Sequence, residues 1–469
     1  MRTRVHPRSL TEAWPALTGL SAVFLFEMLD NSILTVALPT IGRELSASTT
    51  TLQWVTGAYS VVFGGLMPAA GAVADRLGRR KVMLTGLVLL GVASLATMAV
   101  TAAWQLIAVR ALMGVAAAMT TPGSLALAFR LFDEDGLRVR ATTLISTVGL
   151  VGLAVGPTTG GLVLGFAPWQ ALLLINVPVA ALAFLGIRAG IPTDDHPADL
   201  HRDPIDVAGA LLGTATIVLT LLAPTQFVEA GIASALPWGT TAAALLAGTC
   251  FVLREKTARN PLIDLKLIAE PLVSSGLALK AAAGSATAGL SYLVTLHLQF
   301  GLGWAPARAA LGMLPQVVVL IAGGALITPL ITRAGLTKAA WLGAVAVVCG
   351  LAVYTAFGRL GYVWIAVALA LVAAGMRVVG VVAGTNVMRG LPSNRTTIGA
   401  ALADTAGEVA TGIGLALSGT ILALVFPGAL TGARESADFQ EAITYAGLAL
   451  TLLSATLVGV GILRGRRPE

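Results

Sequence analysis

The sequence has little charge and very few cysteines or histidines. Asp, Glu, Lys and Arg make up 11% of its 469 residues, whereas soluble domains carry about 25%, so a soluble globular fold is disfavoured. The two cysteines, Cys250 and Cys349, lie inside apolar runs, and the chain has four histidines. This usage indicates neither a disulfide framework nor a metal cluster. We therefore expect no metal and no other cofactor.

The sequence signatures of common enzymes are missing as well. The chain has no Gly-x-Ser-x-Gly elbow for a nucleophile, no Gly-Lys-Ser/Thr loop for phosphate and no metal-binding spacing of His, Glu and Asp. A membrane-embedded enzyme and direct drive by ATP are both disfavoured. A sensor without transport activity is disfavoured too, because no polar stretch is large enough for a soluble output domain.

Apolar residues, in contrast, are abundant along the whole chain. They make up 56% of it, the mean hydropathy is +0.86, and a helix needs about 20 apolar residues to span a bilayer. Fourteen apolar runs predict an all-α membrane protein with fourteen spans. These runs cover residues 14–40, 51–73, 82–101, 104–130, 141–165, 168–188, 205–225, 234–253, 272–300, 307–330, 339–357, 362–386, 398–426 and 442–463.

The net charge of +7 comes mainly from loops that we place in the cytoplasm, and does not indicate a nucleic-acid partner. With the N-terminus inside, nearly all Lys and Arg fall on the inner side, as the positive-inside rule requires. The exceptions are Arg43, Arg308, Arg359 and Arg434 outside and Arg110, Lys280 and Arg377 within spans. We expect a multi-pass protein of the cytoplasmic (inner) membrane with both termini inside and a retained first span.

A faint internal repeat relates the two halves. Residues 76–86 and 333–343 share an Arg, a Lys and two Gly at a constant offset of 257, and duplicated halves are typical of secondary transporters. We predict a six-helix bundle in each half, two additional helices between them and an amphipathic cytoplasmic linker. The predicted boundaries are 1–190 for the first bundle, 205–255 for the added helices, 256–270 for the linker and 271–469 for the second bundle.

The first half of this repeat belongs to a recognisable motif. GAVADRLGRRK, residues 71–81, resembles the cytoplasmic loop signature of the major facilitator superfamily. Its glycines permit close approach and a tight turn, and its charges are suited to a network that latches one conformation. A plain positive-inside loop is the alternative. The predicted latch residues are Gly71, Asp75, Arg76, Gly78, Arg79 and Arg80.

A second motif, GLAVGPTTGG at 152–161, is similar to the signature of antiporters in that superfamily. Gly152, Gly156 and Gly160 lie four apart, on one helix face, where a neighbouring helix can pack closely. Pro157 is expected to bend the span, and Gly161 completes the motif. Antiport is implied by the resemblance alone, and ordinary small-residue packing is the alternative.

Two further segments extend the resemblance over most of the chain. LDNSILTVALP, residues 29–39, resembles the first-span signature of fourteen-span drug:proton antiporters, with Thr35 where Asn is commoner. RALMGVAAA, residues 110–118, resembles the motif in which an Arg assists proton transfer, here Arg110, with departures at Met113 and Ala116. The resemblance implies two six-helix bundles plus two extra helices, alternating access driven by protons, export of lipophilic drugs or antibiotics, and a monomer in contact with membrane lipid.

Ionisable residues inside spans indicate the transport path, because each is costly in hydrocarbon. Glu27 and Asp30 lie three apart in the first span, and Asp404 and Glu408 four apart in the thirteenth, so each pair shares a helix face. With Arg110, these are our candidates for coupling protons to substrate. The alternative is static pairing of the acids with the three buried cations.

The remaining charged candidates concern substrate choice. Lys280 and Arg377 lie near the middle of their spans and are suited to an anionic or zwitterionic compound. His297 is placed to titrate near the outer end of its span, although a hydrogen-bonded interface role is commoner there. Two alternatives to drug export stay open on the same fold: a transporter of lipid or another amphiphile, and a symporter.

Overall fold

The protein is helical throughout the part that this computed structural model describes, which comprises residues 7, 9–132, 134–193, 206–231, 233–259, 261, 265–391, 396–426 and 437–465. No strand occurs in these ranges. The α-helices are α1 (Trp14–Glu44), α2 (Thr49–Leu77), α3 (Arg79–Ala96), α4 (Ala103–Leu131), α5 (Asp135–Val163), α6 (Gln170–Leu174), α7 (Asn176–Gly190), α8 (Val207–Ala230), α9 (Ala235–Thr257), α10 (Leu265–Ala269), α11 (Pro271–Leu296), α12 (Pro306–Gly312), α13 (Leu314–Phe357), α14 (Tyr362–Arg389), α15 (Thr396–Val425) and α16 (Ala437–Gly465).

Many of these helices are membrane spans. Among the described residues, ten helices are long and apolar enough to cross a bilayer, and eleven if the bent α5 counts as one span. Shorter apolar helical stretches cover 207–220 and 306–322, and α2 is a further helix of 29 residues. The prediction of an all-α integral membrane protein is therefore confirmed.

The internal repeat has a counterpart in backbone conformation. Gly78, between α2 and α3, has φ +101°, and Gly335, which the repeat aligns with it, has φ +77°. These left-handed conformations strongly favour glycine. Gly335 lies inside α13 and divides it into two helices that meet at a kink. The same residue type thus makes the same kind of turn in both halves.

Helix packing separates an N-terminal set, α1–α7, from a C-terminal set, α11–α16. In the first set, α1 packs against α5 and α7, and α4 against α2 and α3. In the second, α11 packs against α14, α15 and α16, and α13 against α14 and α16. The sets meet where α2 contacts α15 and where α5 contacts α12 and α13. Helix α8 contacts α9, α2 and α15, so it touches both sets.

Helix α5 is bent where the sequence predicts a bend. Its parts Arg140–Leu153 and Val155–Val163 meet at 40°. Pro157 has no N–H to donate to the carbonyl of Leu153, four residues earlier, and its ring crowds that carbonyl. The proline therefore explains a bend that begins one turn before it.

An ion pair joins the start of α8 to the last turn of α9. Arg254 Nε lies 3.0 Å from Asp206 Oδ2, and the Asp206 side chain also accepts a hydrogen bond from the backbone N–H of Gly209 at the start of α8. The Arg254 guanidinium lowers the pKa of the Asp206 carboxyl. The predicted linker begins within α9 and includes α10, whereas its residues 260 and 262–264 lie outside the described part of the chain.

Candidate functional site

A cavity of about 530 Å³ lies between the two helix sets. Helices α1, α2, α4 and α5 line one side of it and α11, α13, α14 and α15 the other. Its wall is largely apolar and includes three flexible methionines, Met28, Met313 and Met376, a side chain that adapts to irregular ligand shapes. The ionisable residues in the wall are Arg110, Lys280, Arg377, Asp404 and Glu408, all five of which the sequence analysis singled out.

One charged group in the cavity wall is an ion pair between α11 and α15. Lys280 Nζ lies 3.5 Å from Asp404 Oδ1. The Lys280 and Asp404 side chains are 38% and 31% exposed, so both are in contact with the cavity space rather than with the core. Glu408, one turn beyond Asp404 on the same face of α15, has a buried Oε2 atom without a hydrogen-bond partner among the described residues.

A second charged group, in the N-terminal set, includes the wall residue Arg110 and extends behind the wall. Arg110 of α4 donates to the carboxylate of Asp30 on α1 and, at 3.2 Å, to the carbonyl of Val55 on α2. The other Asp30 oxygen accepts from Asn176 Nδ2 at 2.7 Å, and the Arg110 guanidinium lies 4.6 Å from the ring centre of Tyr59. Arg110 and Asp30 are 1% and 0% exposed. This group therefore ties four spans together in a fully buried network.

Glu27 connects the two charged groups. It lies one turn before Asp30 on α1, is buried, and has one carboxylate oxygen without a hydrogen-bond partner among the described residues. It is close enough to Glu408, Asp404 and Lys280 to interact with them electrostatically. A carboxyl of the N-terminal set and a carboxyl of the C-terminal set thus lie within electrostatic range of each other. Two carboxylates in one apolar site repel each other unless a proton or another cation is bound.

The other two candidate polar residues lie in different places. Arg377 of α14 lines the cavity, whereas His297 is not part of its wall. The His297 ring is buried, with Nδ1 3.4 Å from the hydroxyl of Tyr354 on α13. Arg377 is therefore accessible from the cavity. His297 is instead a buried, hydrogen-bonded residue, which agrees with the alternative to a titrating role.

The predicted latch motif is more helical than a loop signature suggests. Helix α2 continues to Leu77, so Gly71, Asp75 and Arg76 lie on its last turns. Gly78 alone makes the turn, and Arg79 and Arg80 begin α3. Arg80 donates at 2.8 Å to the carbonyl of Arg188 at the end of α7, so the turn is tied to a third helix. The side chain of Asp75 lies outside the described part of the structure.

The glycines of the second motif lie against α1. A side-chain carbon at Gly152 would lie 2.9 Å from Leu25 and at Gly160 2.9 Å from Ile33, whereas at Gly156 it would overlap Ser32. Gly161 instead faces α12, where an added carbon would lie 2.8 Å from the carbonyl oxygen of Pro306. Pro157 lines the cavity. The motif on α5 therefore packs against α1, in its own helix set, and against α12, in the opposite set.

Two glutamines that the sequence analysis missed join the helix sets at one end of the cavity. Gln299 Nε2 donates to the carbonyl of Val36 at 3.0 Å, and Gln53 Nε2 donates to that of Ala416 at 3.1 Å. Both bonds lie toward the end where α1 finishes and α2 begins. Asn176 and Tyr59 were missed too. An amide inside an apolar run is a signal in itself, since buried polar groups need a partner.

Comparison with known proteins agrees with this geometry. A model of the Major Facilitator Superfamily matches residues 20–415. The cephamycin export protein CmcT of Amycolatopsis lactamdurans is 33% identical over 322 residues, which are 68% of this chain and 66% of that protein. The multidrug efflux pump LfrA of Mycolicibacterium smegmatis is 28% identical over 457 residues, or 96% of this chain and 90% of that protein.

The fold has also been seen in a solved transporter. A crystal structure of a POT family transporter in complex with a thioalcohol conjugated peptide superimposes with a TM-score of 0.65 at 13% identity, covering 96% of each chain. The match to the family model and the similarity to CmcT confirm the family prediction made from the motifs. The chain belongs to the Major Facilitator Superfamily, a family of membrane transporters and not of enzymes.

Proposed function

We propose that this protein exports lipophilic drugs or antibiotics across the cytoplasmic membrane in exchange for protons. The observation that carries the proposal is the largely apolar cavity between the helix sets, with Lys280, Asp404 and Glu408 in its wall and Glu27 close by. An apolar cavity with a few polar groups is typical of sites for lipophilic ligands. Carboxyls in such a site are suited to exchanging a proton for a substrate. The two relatives named above are described as exporters.

The proposed architecture follows the sequence predictions. Fourteen spans form two six-helix bundles with α8 and α9 packed outside them, and both termini lie in the cytoplasm. In this orientation, the Gln299–Val36 and Gln53–Ala416 hydrogen bonds join the helix sets toward the outer end of the cavity. The protein works as a monomer surrounded by lipid and driven only by the proton gradient.

In the proposed cycle, protons and substrate compete for one state of the site. Substrate entering from the cytoplasm binds while Glu27 and Glu408 are ionised, and the two helix sets then rock to open the outer end. Protons arriving from outside neutralise the carboxyls, which favours release of the substrate. Alternating access around a site between repeats is the usual mechanism of such folds. Asp30 and Arg110 hold the N-terminal set in register with the site.

The test is transport in proteoliposomes under an imposed pH gradient, with Glu27→Gln and Glu408→Gln, which remove the carboxyls that the proposed cycle protonates, compared with the intact protein. Removing a coupling carboxyl should reduce gradient-driven dye movement at least about tenfold, the scale of a lost charged hydrogen bond. The matched control is Glu441→Gln, the same change at an exposed position near the start of α16, which should leave transport unchanged.

Each outcome separates the alternatives. Transport that follows the gradient and collapses in either variant supports proton-coupled export through these carboxyls, and unchanged transport in both moves the coupling elsewhere. Dye movement without any dependence on the gradient overturns antiport, and dye moving with the protons indicates a symporter. A change in surface lipids of cells lacking the protein, without a change in drug tolerance, indicates that the substrate is a lipid.

A further inference from the structure

The charged residues in the middle of the spans do not all pair with one another. Away from their ends, the apolar runs hold four acids, Glu27, Asp30, Asp404 and Glu408, and three cations, Arg110, Lys280 and Arg377. Two of the acids are committed, because Asp30 pairs with Arg110 and Asp404 with Lys280. The other two, Glu27 and Glu408, lie near each other and near Lys280.

Among the residues that the structure describes, Arg377 is left as the cation without a partner. Among the described residues, no carboxylate lies within 4.0 Å of its guanidinium, and no hydrogen bond from it to a described side chain or backbone carbonyl is present. The residue is nevertheless partly withdrawn from water in the middle of α14, where it lines the cavity. A cation in this position is costly until an anion reaches it.

The surroundings of Arg377 describe the rest of the ligand. Met376, Leu320 and Leu153 line the same cavity and pack together in one apolar cluster beside it. A guanidinium presents a planar fork of donors that matches a carboxylate in shape. An apolar body carrying one acidic group would thus satisfy both the charge and the surface around it.

We propose that Arg377 binds an acidic group, a carboxylate in the first instance, of the compound that this protein exports. The inference rests on the proposed export function and specifies its substrate class as lipophilic acids, zwitterions included. Lys280 is less suited to this role, because an incoming acid would have to displace Asp404 from it. The acidic end of the substrate therefore faces α14 and leaves the carboxyls of α1 and α15 free for protons or for a cationic group.

The experiment measures binding of two probes that differ in one methyl group. Tetramethylrhodamine carries a free carboxylate, whereas its methyl ester has the same rings and cation without the acid. Fluorescence anisotropy gives the Kd of each for the full chain purified in detergent. Arg377→Met should weaken binding of the acid about ten- to a hundredfold, the value of a lost charge-assisted hydrogen bond. Binding of the ester should stay within about twofold of the intact protein.

Two further variants control the result. Arg377→Lys keeps the charge without the fork, so its affinity for the acid should lie between those of the intact protein and Arg377→Met. Arg359→Met removes an exposed arginine in the turn before α14 and should change neither probe. Binding of the ester shows that each variant is folded. Equal losses for acid and ester, or no loss for the acid, would overturn the proposal.

A lipid head group offers the same acidic chemistry as a free organic acid. Lysophosphatidylglycerol is therefore added as a competitor of the acid probe. If it displaces the probe from the intact protein, the acid at Arg377 is that of a lipid, and if it does not, the acid is that of a soluble amphiphile. Transport separates the two proposals. If the ester moves with the pH gradient but binding of the acid does not depend on Arg377, the export proposal stands and the Arg377 site is ruled out. If binding of the acid depends on Arg377 but neither probe moves with the pH gradient, the site stands and the export proposal is ruled out.

Discussion

Arg110 makes contacts with two other helices through a single side chain. Its guanidinium binds the Asp30 carboxylate of α1 and the Val55 carbonyl of α2, and it faces the ring of Tyr59. Because both side chains are buried, the charge of Arg110 compensates that of Asp30, and each would be costly without the other. Arg110 consequently stabilises the N-terminal set as well as lining the cavity.

Replacing Arg110 with Met should therefore unfold the protein more easily, because Asp30 would be left as a buried charge without its partner. The expected cost is about 3–5 kcal/mol, measured as a lower unfolding temperature of the purified protein in detergent. The double variant Arg110→Met with Asp30→Asn should regain most of that stability, because neither charge remains. Equal unfolding temperatures for the single variant and the intact protein would contradict a stabilising role for the pair.

At the scale of single residues, the sequence indicated which charged residues lie inside the helices but not how they pair. Arg110 and Asp30 were both singled out, yet nothing in the sequence says that they meet, because they belong to different helices. Asn176 and Tyr59 were missed since no motif contains them, although Asn176 is an amide inside an apolar run. Pairing depends on how helices turn about their axes, which the strongly apolar composition of every face conceals.

Helices α1 and α5 approach closely because glycines on α5 leave room for α1. Gly152, Gly156 and Gly160 form that contact, and at each of them an added carbon would come within 3 Å of α1. In a membrane, where apolar surface is not driven out of water, such close contacts provide much of the association between helices. The contact thus fixes the position of Asp30 relative to the cavity.

The glycine contact can be tested with alanine, the smallest change. Gly156→Ala places its carbon 2.9 Å from the Ser32 Cβ and 3.2 Å from the Ile33 nitrogen, so α1 and α5 must separate. We expect a loss of about 1–3 kcal/mol, as for other overpacked interiors, seen as a lower unfolding temperature. Gly91→Ala on α3, where the new carbon meets no atom within 4 Å, is the matched control and should be neutral or slightly stabilising.

The sequence was most informative about individual helices and the turns between them. The bend of α5 follows from Pro157, and the turns at Gly78 and Gly335 from the aligned glycines. The exception is the end of α2, which the polar residues of the first motif placed in a loop. There the backbone keeps its helical hydrogen bonds to Leu77, because charged side chains at the end of a span can reach the interface without leaving the helix.

At the scale of the whole molecule, the number of spans decides which loops face which side. The added pair α8 and α9 matters most, since two spans keep the C-terminal set in the same orientation as the N-terminal set, whereas one would invert it. Ser234, at the start of α9, and Ala258, just after its end, would then lie on opposite sides of the membrane.

A labelling experiment checks this arrangement. In a chain with Cys250 and Cys349 replaced by Ala, a cysteine at Ser234 should react with an impermeant maleimide applied to intact cells. A cysteine at Ala258 should react only after the membrane is permeabilised, because α9 carries it inside. Reaction of both from the same side would show that α9 does not cross the membrane, and would remove the count of fourteen.

The cavity between the two helix sets is the feature that could not be predicted from the sequence. Its charged residues come from α4, α11, α14 and α15, whose assembly depends on contacts such as α2 with α15 that no local pattern records. Composition and charge distribution predicted a transporter, and the motifs predicted its family. The choice of Arg377 over Lys280 as the free cation required knowledge of which acids were already paired.

Helix α8 is held to the N-terminal set by the Thr214 hydroxyl, which donates to the Gly65 carbonyl of α2 at 2.9 Å, and it also rests on α15 of the opposite set. In the proposed cycle, rocking of the two sets requires α8 to travel with one set and to slide along the other. Such sliding of α8 along a packed helix surface would slow the conformational change without changing the affinity for substrate. We therefore expect α8, although none of its residues lines the cavity, to influence how fast such a carrier turns over.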